Sequence, residues 1–192
     1  MQTPIESPKT TNDSFLAVKK NEDSRRKLSE TFYYFLLHEI IKYTYQALSQ
    51  SINIDKKLVA NQCRLFFEKF GFTIGVKIHE RLSIQKQRIC KPEDCLKFVC
   101  KNLWDFLFFK QADRLQTNRK AEFMIMDKNL PPLRYGIQPP TAQYQLFCYS
   151  SKASLPFFCG IIRGVLTNLN LPNCVTADAR NPPTCYFHIH LT

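Results

Sequence analysis

Leu96-Lys97-Phe98-Val99-Cys100-Lys101-Asn102-Leu103-Trp104, followed after Phe109 by Lys110-Gln111-Ala112-Asp113-Arg114-Leu115-Gln116-Thr117-Asn118, is the stretch whose reading decides the fold. Pro92 just ahead of it has a fixed φ suited to a helix start. Glu93 and Asp94 then fall in the first turn, near the positive end of the helix dipole. Leu96, Val99, Cys100, Leu103 and Leu107 recur at three- and four-residue steps, which lays one apolar stripe along a helix. Asn118 tolerates the left-handed conformation beyond a helix end, so the pattern predicts a long amphipathic helix from Pro92 to Asn118.

Upstream, residues 1–28 are polar, mixed in charge and interrupted by Pro4 and Pro8, and read as a disordered tail; residues 29–192 read as a single domain. From Ser29 to about Ser51, Leu36, Ile40 and Tyr43, with Leu37, Ile41, Tyr45 and Leu48, spread apolar side chains around much of a helix. So broad an apolar surface is covered on more than one side, by the domain's core or by a core and a partner. Asn53–Asp55 reads as a turn, with Asp55 as N-cap of a second helix ending near Leu82. Gly71 and Gly75 lie one turn apart in that helix, where each costs roughly 1 kcal/mol relative to alanine. Close approach of another backbone would account for that cost, and a helix break at Phe70-Gly71 is the alternative.

Downstream, Glu122–Asp127 is a strand ended by Pro131-Pro132, and residues 134–153 read as an irregular loop with a weak strand around Tyr144–Tyr149. Ser154 is placed as N-cap of a last helix to Asn168, which Pro172 prevents from continuing. Gly160 and Gly164 repeat the glycine pair inside it. Residues 174–179 and 184–191 are strands around Asn181-Pro182-Pro183, and Cys185, Phe187, Ile189 and Leu191 alternate with Tyr186, His188 and His190 in the second. Trp104 is placed in the core or at an interface.

Hydrophobic residues make up 44% of the 192-residue chain, enough for a sizeable core. No apolar run reaches the roughly 20 residues of a membrane-spanning helix, and no secretory h-region is apparent. Net charge is +11, and between Lys77 and Lys120 eleven basic residues stand against five acidic ones. That excess is compatible with a solvated face, an anionic membrane surface or an acidic partner; nucleic acid is the weakest fit because no binding motif accompanies it. The eight cysteines form no CxxC pair, and Cys95 and Cys100 stand about 140° apart on an ideal helix, which argues for buried reduced thiols.

Three collinear motifs carry a resemblance. Leu96–Asn118, Gly71-Phe72-Thr73-Ile74-Gly75 with Glu80-Arg81-Leu82, and Pro156-Phe157-Phe158-Cys159-Gly160-Ile161-Ile162-Arg163-Gly164 to Leu169 together resemble the small-subunit family of the transport protein particle (TRAPP), a vesicle-tethering complex. The resemblance is closest to the subunit-six branch, runs from about Glu30 to the C-terminus, and extends to Val175-Thr176-Ala177 and Cys185–Ile189. It implies an α+β fold of four helices packed on a small antiparallel sheet. It also implies a structural, non-enzymatic subunit that forms a heterodimer with another small subunit, within a complex that acts in ER-to-Golgi and Golgi traffic and exchanges nucleotide on a Rab-type GTPase. The implied location is cytoplasmic and peripheral at Golgi and endoplasmic reticulum, with room for peripheral membrane contact. Some family members hold a fatty-acylated cysteine in the first helix; Ser29–Ser51 has no cysteine, so that role is not carried over. Lys77 also departs from the arginine common in the family.

No nucleophile elbow, phosphate loop or dinucleotide fingerprint occurs, so no catalytic residue, cofactor or metal is assigned. His188 and His190 read as solvent-facing, and His38 and His79, each followed by glutamate, as polar-face residues. The expected partner interface is Phe32, Phe35, Leu36, Ile40, Ile41 and Tyr43, and the expected helix-packing residues are Gly71, Gly75, Gly160, Gly164 and Trp104. The rival reading is a small-ligand-binding or sensory module of the same helix-sheet fold.

Overall fold

The structure, a computed structural model, describes residues 12–51, 56–84, 91–118, 122–134 and 151–191. The chain divides into two compact units, residues 1–36 and 37–192. Helix α1, Asn12–Ser51, contributes to both. It begins well before Ser29. From Pro8 to Gly71 the chain has neither proline nor glycine, so nothing in this polar stretch breaks a helix.

In the second unit, α2 (Lys56–Ser83) and α6 (Leu155–Asn168) form the central pair. Gly71 and Gly75 of α2 face Phe157 and Ile161 of α6, while Gly160 and Gly164 face Glu68, Phe72 and Val76 in return. A methyl group on any of the four would overlap a carbonyl oxygen of the other helix. At Gly75 a Cβ would also stand 2.9 Å from the Ile161 Cα, and at Gly160 2.9 Å from the Phe72 nitrogen. The two backbones therefore touch directly, and only glycine fits at the crossing. Arg163 closes the contact with an ion pair to Glu68, and Asn168 Nδ2 lies 2.9 Å from His79 Nδ1.

Helix α6 is buried over most of its circumference, including Leu155, Phe157–Ile162 and Gly164–Leu166, because it lies between α2 and the sheet. The N-cap expectation at Ser154 is half right. Ser154 occupies the position, after a 3₁₀ turn at Ser151–Ser154, but its side chain makes no capping hydrogen bond.

The stretch from Pro92 departs most from expectation. Helix α3 (Pro92–Phe98) passes through a π turn at Val99–Leu103 into α4 (Trp104–Phe108), and Phe109 ends it in the left-handed conformation, φ 53°. The carbonyl of Cys100 accepts a hydrogen bond from the Ala112 N–H at 3.0 Å, which draws the returning chain against the helix. Residues 114–117 are then strand β1 (Arg114–Thr117), not the last turns of a helix. The long helix predicted to Asn118 is corrected: the left-handed stop falls at Phe109, where the residue type does not announce it.

Strands β1, β2 (Glu122–Asp127), β3 (Asn173–Asp178) and β4 (Cys185–Leu191) form an antiparallel sheet of order β1-β2-β4-β3. Ile125 pairs with Phe187, and Val175 with Ile189, so these buried residues share the helix-facing side. The opposite side carries Met124, His188 and Thr176 in one row and Glu122, His190 and Cys174 in the next. Pro131 and Pro132 do more than end a strand, since they open the short helix α5 (Pro131–Arg134). Asn53–Asp55 and the weak strand at 144–149 lie outside the described residues.

Trp104 is fully buried, edge-on to Phe108 and Phe187 with ring centroids 5.4 and 5.5 Å away. Its indole N–H donates to Asp127 Oδ2 at 2.9 Å. Asp127 is fully buried too, and its other oxygen accepts from Lys110 Nζ and, at 2.9 Å, from the Asn129 N–H. A buried carboxylate is tolerable only with such a set of donors.

Gly75→Ala should destabilise the chain by about 1 kcal/mol or more, because the backbone displacement outweighs the gain in helix propensity. A urea midpoint unchanged or raised by the substitution would contradict the close approach. Trp104→Phe should cost about 1–3 kcal/mol by removing one donor to a buried carboxylate, and Trp104→Ala about 3–5 kcal/mol. Equal melting temperatures for Trp104→Phe and the parent chain would count against the Trp104–Asp127 hydrogen bond.

Candidate functional site

Helix α1 places its apolar residues unequally. Tyr34, Leu37, Ile41 and Tyr45 are buried, at the three- and four-residue spacing of one helix face. Of the residues expected to reach a partner, Phe32 and Phe35 are 69% and 46% exposed, and Leu36, next to them in the first unit, 48%. Ile40 and Tyr43, in the second unit, are 41% and 74% exposed. Ile41 is the exception. It is wholly buried, one position round the helix from Ile40, so it belongs to the core and not to a partner surface.

A second exposed apolar surface was not foreseen. On α2, Leu58, Leu65, Phe66 and Phe70 all stand in solvent. Phe66 and Phe70 stack with centroids 6.3 Å apart, and Phe70 leans on Phe157 at 5.7 Å. The buried residues Val59, Cys63, Phe67, Gly71, Gly75 and Ile78 mark the inward side of the helix, and Phe70 stands at its edge.

The chemistry-bearing residues assemble differently. Cys63, Cys95, Cys100, Cys159 and Cys185 are free and buried, and Cys174 is free and exposed. Burial pushes the Cys100 and Cys159 thiols up to about 12 and raises that of Cys185 as well, so these groups are protonated and unreactive at neutral pH. His188 and His190 do stand on the outer face of the sheet, but not alone. Glu122 reaches His190 Nδ1 at 3.4 Å from the neighbouring strand, a partner set by long-range register and invisible in local sequence. With Gln116, Asn118 and Met124 these residues line an open groove of about 440 Å³. No cluster of three metal-ligating side chains occurs among the described residues. His38 and His79 are both held below the usual histidine range by burial, and His79 lies edge-on to Phe98. No helix among the described residues is long and apolar enough to cross a membrane.

The fold is a helical layer on one side of a four-stranded antiparallel sheet, with large apolar side chains left exposed on the helices; this is the build of a protein that works by association. Residues 33–192 match the family described as transport protein particle (TRAPP) component, and the chain belongs to that family. It is 31% identical to mouse trafficking protein particle complex subunit 6B over 160 residues, covering 83% of this chain and 95% of that protein. Human subunit 6A is 33% identical over 125 residues, covering 64% of this chain and 74% of that one. These relatives place the chain in the subunit-six branch. The crystal structure of trafficking protein particle complex subunit 3 from Naegleria fowleri, covalently bound to palmitic acid, shares the fold with a TM-score of 0.57 at 16% identity, over 86% of this chain and 96% of that chain.

Iodoacetamide at neutral pH, with site-resolved mass spectrometry, should label Cys174 in the folded chain and leave Cys100 and Cys159 unlabelled until denaturant is added. Labelling of Cys100 at the rate of Cys174 would show that its burial is wrong.

Proposed function

We propose that the chain is a non-catalytic structural subunit of the TRAPP complex that pairs with another small subunit. Through that assembly it contributes to vesicle tethering and to nucleotide exchange on a Rab-type GTPase in ER-to-Golgi and Golgi traffic. It works from the cytoplasm, peripherally at those membranes. The observation that carries the pairing is the exposure of Phe32, Phe35 and Leu36 in the first unit and of Ile40 and Tyr43 in the second. Large aromatic and aliphatic side chains left in water at this density favour association, and aromatic anchors supply most of the energy in stable interfaces. A pairing of ordinary size covers about 1,600 Å² in all. Family membership supports the same reading, since the relatives in the subunit-six branch are named as subunits of a complex.

The test is affinity purification of the tagged chain from its own cells at moderate salt, followed by quantitative mass spectrometry. Other TRAPP small subunits should be recovered in near-equal amounts. Phe35→Asp with Tyr43→Asp should lower that recovery at least tenfold while the circular dichroism spectrum stays unchanged, since both positions are exposed. Ile41→Asp should instead unfold the chain. Undiminished recovery with the double variant would remove α1 from the interface, and a chain recovered alone would defeat the proposed role.

A further inference from the structure

We propose that the outer face of the sheet carries a binding site for a divalent ion of the zinc class, with His188, His190 and Glu122 as its protein ligands and one position left to water. The register of β2 and β4 creates the site. Glu122 stands opposite His190, and Met124 opposite His188, on the side turned away from the helices. These four side chains are the corners of one quadrilateral on two neighbouring strands, about 5 Å across the strands and about 7 Å along them. All four line the same open groove. The two histidines, two residues apart on one strand, supply half of a donor set, and only the pairing of β4 with β2 brings the carboxylate to them.

That carboxylate is already oriented. Asn118 Nδ2 donates to Glu122 Oε2, and the Glu122 backbone N–H donates to Asn118 Oδ1 at 3.2 Å. Held this way, Glu122 turns its other oxygen, Oε1, toward His190 Nδ1 at 3.4 Å. The separation is long for a hydrogen bond. It is close to the roughly 3.3 Å between two donors that each bind a tetrahedral zinc at about 2.0–2.1 Å. No three metal-ligating groups meet at one point among the described residues. His188 completes the set by turning into the groove. It is half-buried on the same face and makes no hydrogen bond to another described residue, so the turn breaks none. Two imidazoles and one carboxylate are the donor set of zinc sites that keep an open coordination position. Nitrogen donors also select against Mg²⁺ and Ca²⁺, which take oxygen ligands. Cys174, the neighbour of His190 on β3, lies on the far side of that histidine from Glu122 and is outside the set.

The experiment is a calorimetric titration of zinc chloride into the full chain, stripped with a chelator and kept reduced. One equivalent should bind with roughly micromolar affinity, and magnesium chloride should give no binding heat. His188→Ala and His190→Ala should each weaken zinc binding by about tenfold or more. Asn118→Ala, which keeps every ligand and removes only the clamp on Glu122, should weaken it by about tenfold. Cys174→Ser should leave it unchanged. Circular dichroism spectra matching the parent chain, expected because these positions lie on the outer face, separate loss of a ligand from loss of the fold. Cobalt(II) offers a second readout: it should show the intense visible bands of a four-coordinate ion in the parent chain and lose them in His188→Ala. Parent-strength zinc binding in the His188→Ala, His190→Ala double variant overturns the proposal. Binding abolished by Cys174→Ser, or no saturation by about 100 μM zinc, overturns it as well.

Discussion

The direct meeting of two backbones at Gly71, Gly75, Gly160 and Gly164 is the constraint from which the rest of the second unit follows. Side chains normally hold helix axes about 8–10 Å apart. Glycine at each reciprocal position lets α2 and α6 sink together until main-chain atoms are in contact. The helices lose conformational freedom in the unfolded-to-folded balance for this, since glycine is the poorest ordinary helix former. What they gain is a fixed mutual rotation. A helix seated in this way presents one defined face inward and one outward, and a shift by a single residue would bring a Cβ onto a carbonyl oxygen.

That fixed rotation sorts the remaining side chains. Helix α6, with α2 on one side and the sheet on the other, is apolar nearly all round and supplies much of the core. Its Phe158 meets Phe108, and Phe108 meets Trp104, which reaches Phe187 of the central strand β4. The buried carboxylate of Asp127 completes this line by taking the indole proton, with Lys110 returning from beyond the end of α4 to balance the charge. The polar group thereby ties the π-turned helix to the sheet at one register. Against that interior, Leu65 and Phe66 of α2 stand in water, and so do Ile40 and Tyr43 of α1. Apolar groups that folding leaves in water are the material of association.

How much of this could be read from the sequence depended on the range of the interactions. The glycine pairs were readable because a paired cost within a helix demands a compensating contact, and the alternation from Cys185 to Leu191 was readable because a half-buried strand has period two. Helix ends set by backbone conformation were not. Phe109 adopts a left-handed φ that its side chain disfavours, and the strand it frees, β1, has the composition of a helix end. Which apolar side chains of α1 stay in water was not readable residue by residue. Ile40 and Ile41 are chemically identical, and only the packing of α1 decides which of them faces water. The Glu122–His190 pair and the exposed side of α2 depend on sheet register and helix rotation, neither of which a local pattern encodes.

The central claim is that α2 and α6 form one cooperative unit through their glycine contacts. Hydrogen–deuterium exchange resolved by peptide tests it most directly. Residues 67–78 of α2 and 157–166 of α6 should show the slowest exchange of the described helices and lose protection together as denaturant is added. If α2 exchanged at low denaturant while α6 and the sheet stayed protected, the two backbones would not be locked, and the outward face of α2 would have no fixed orientation to offer a partner.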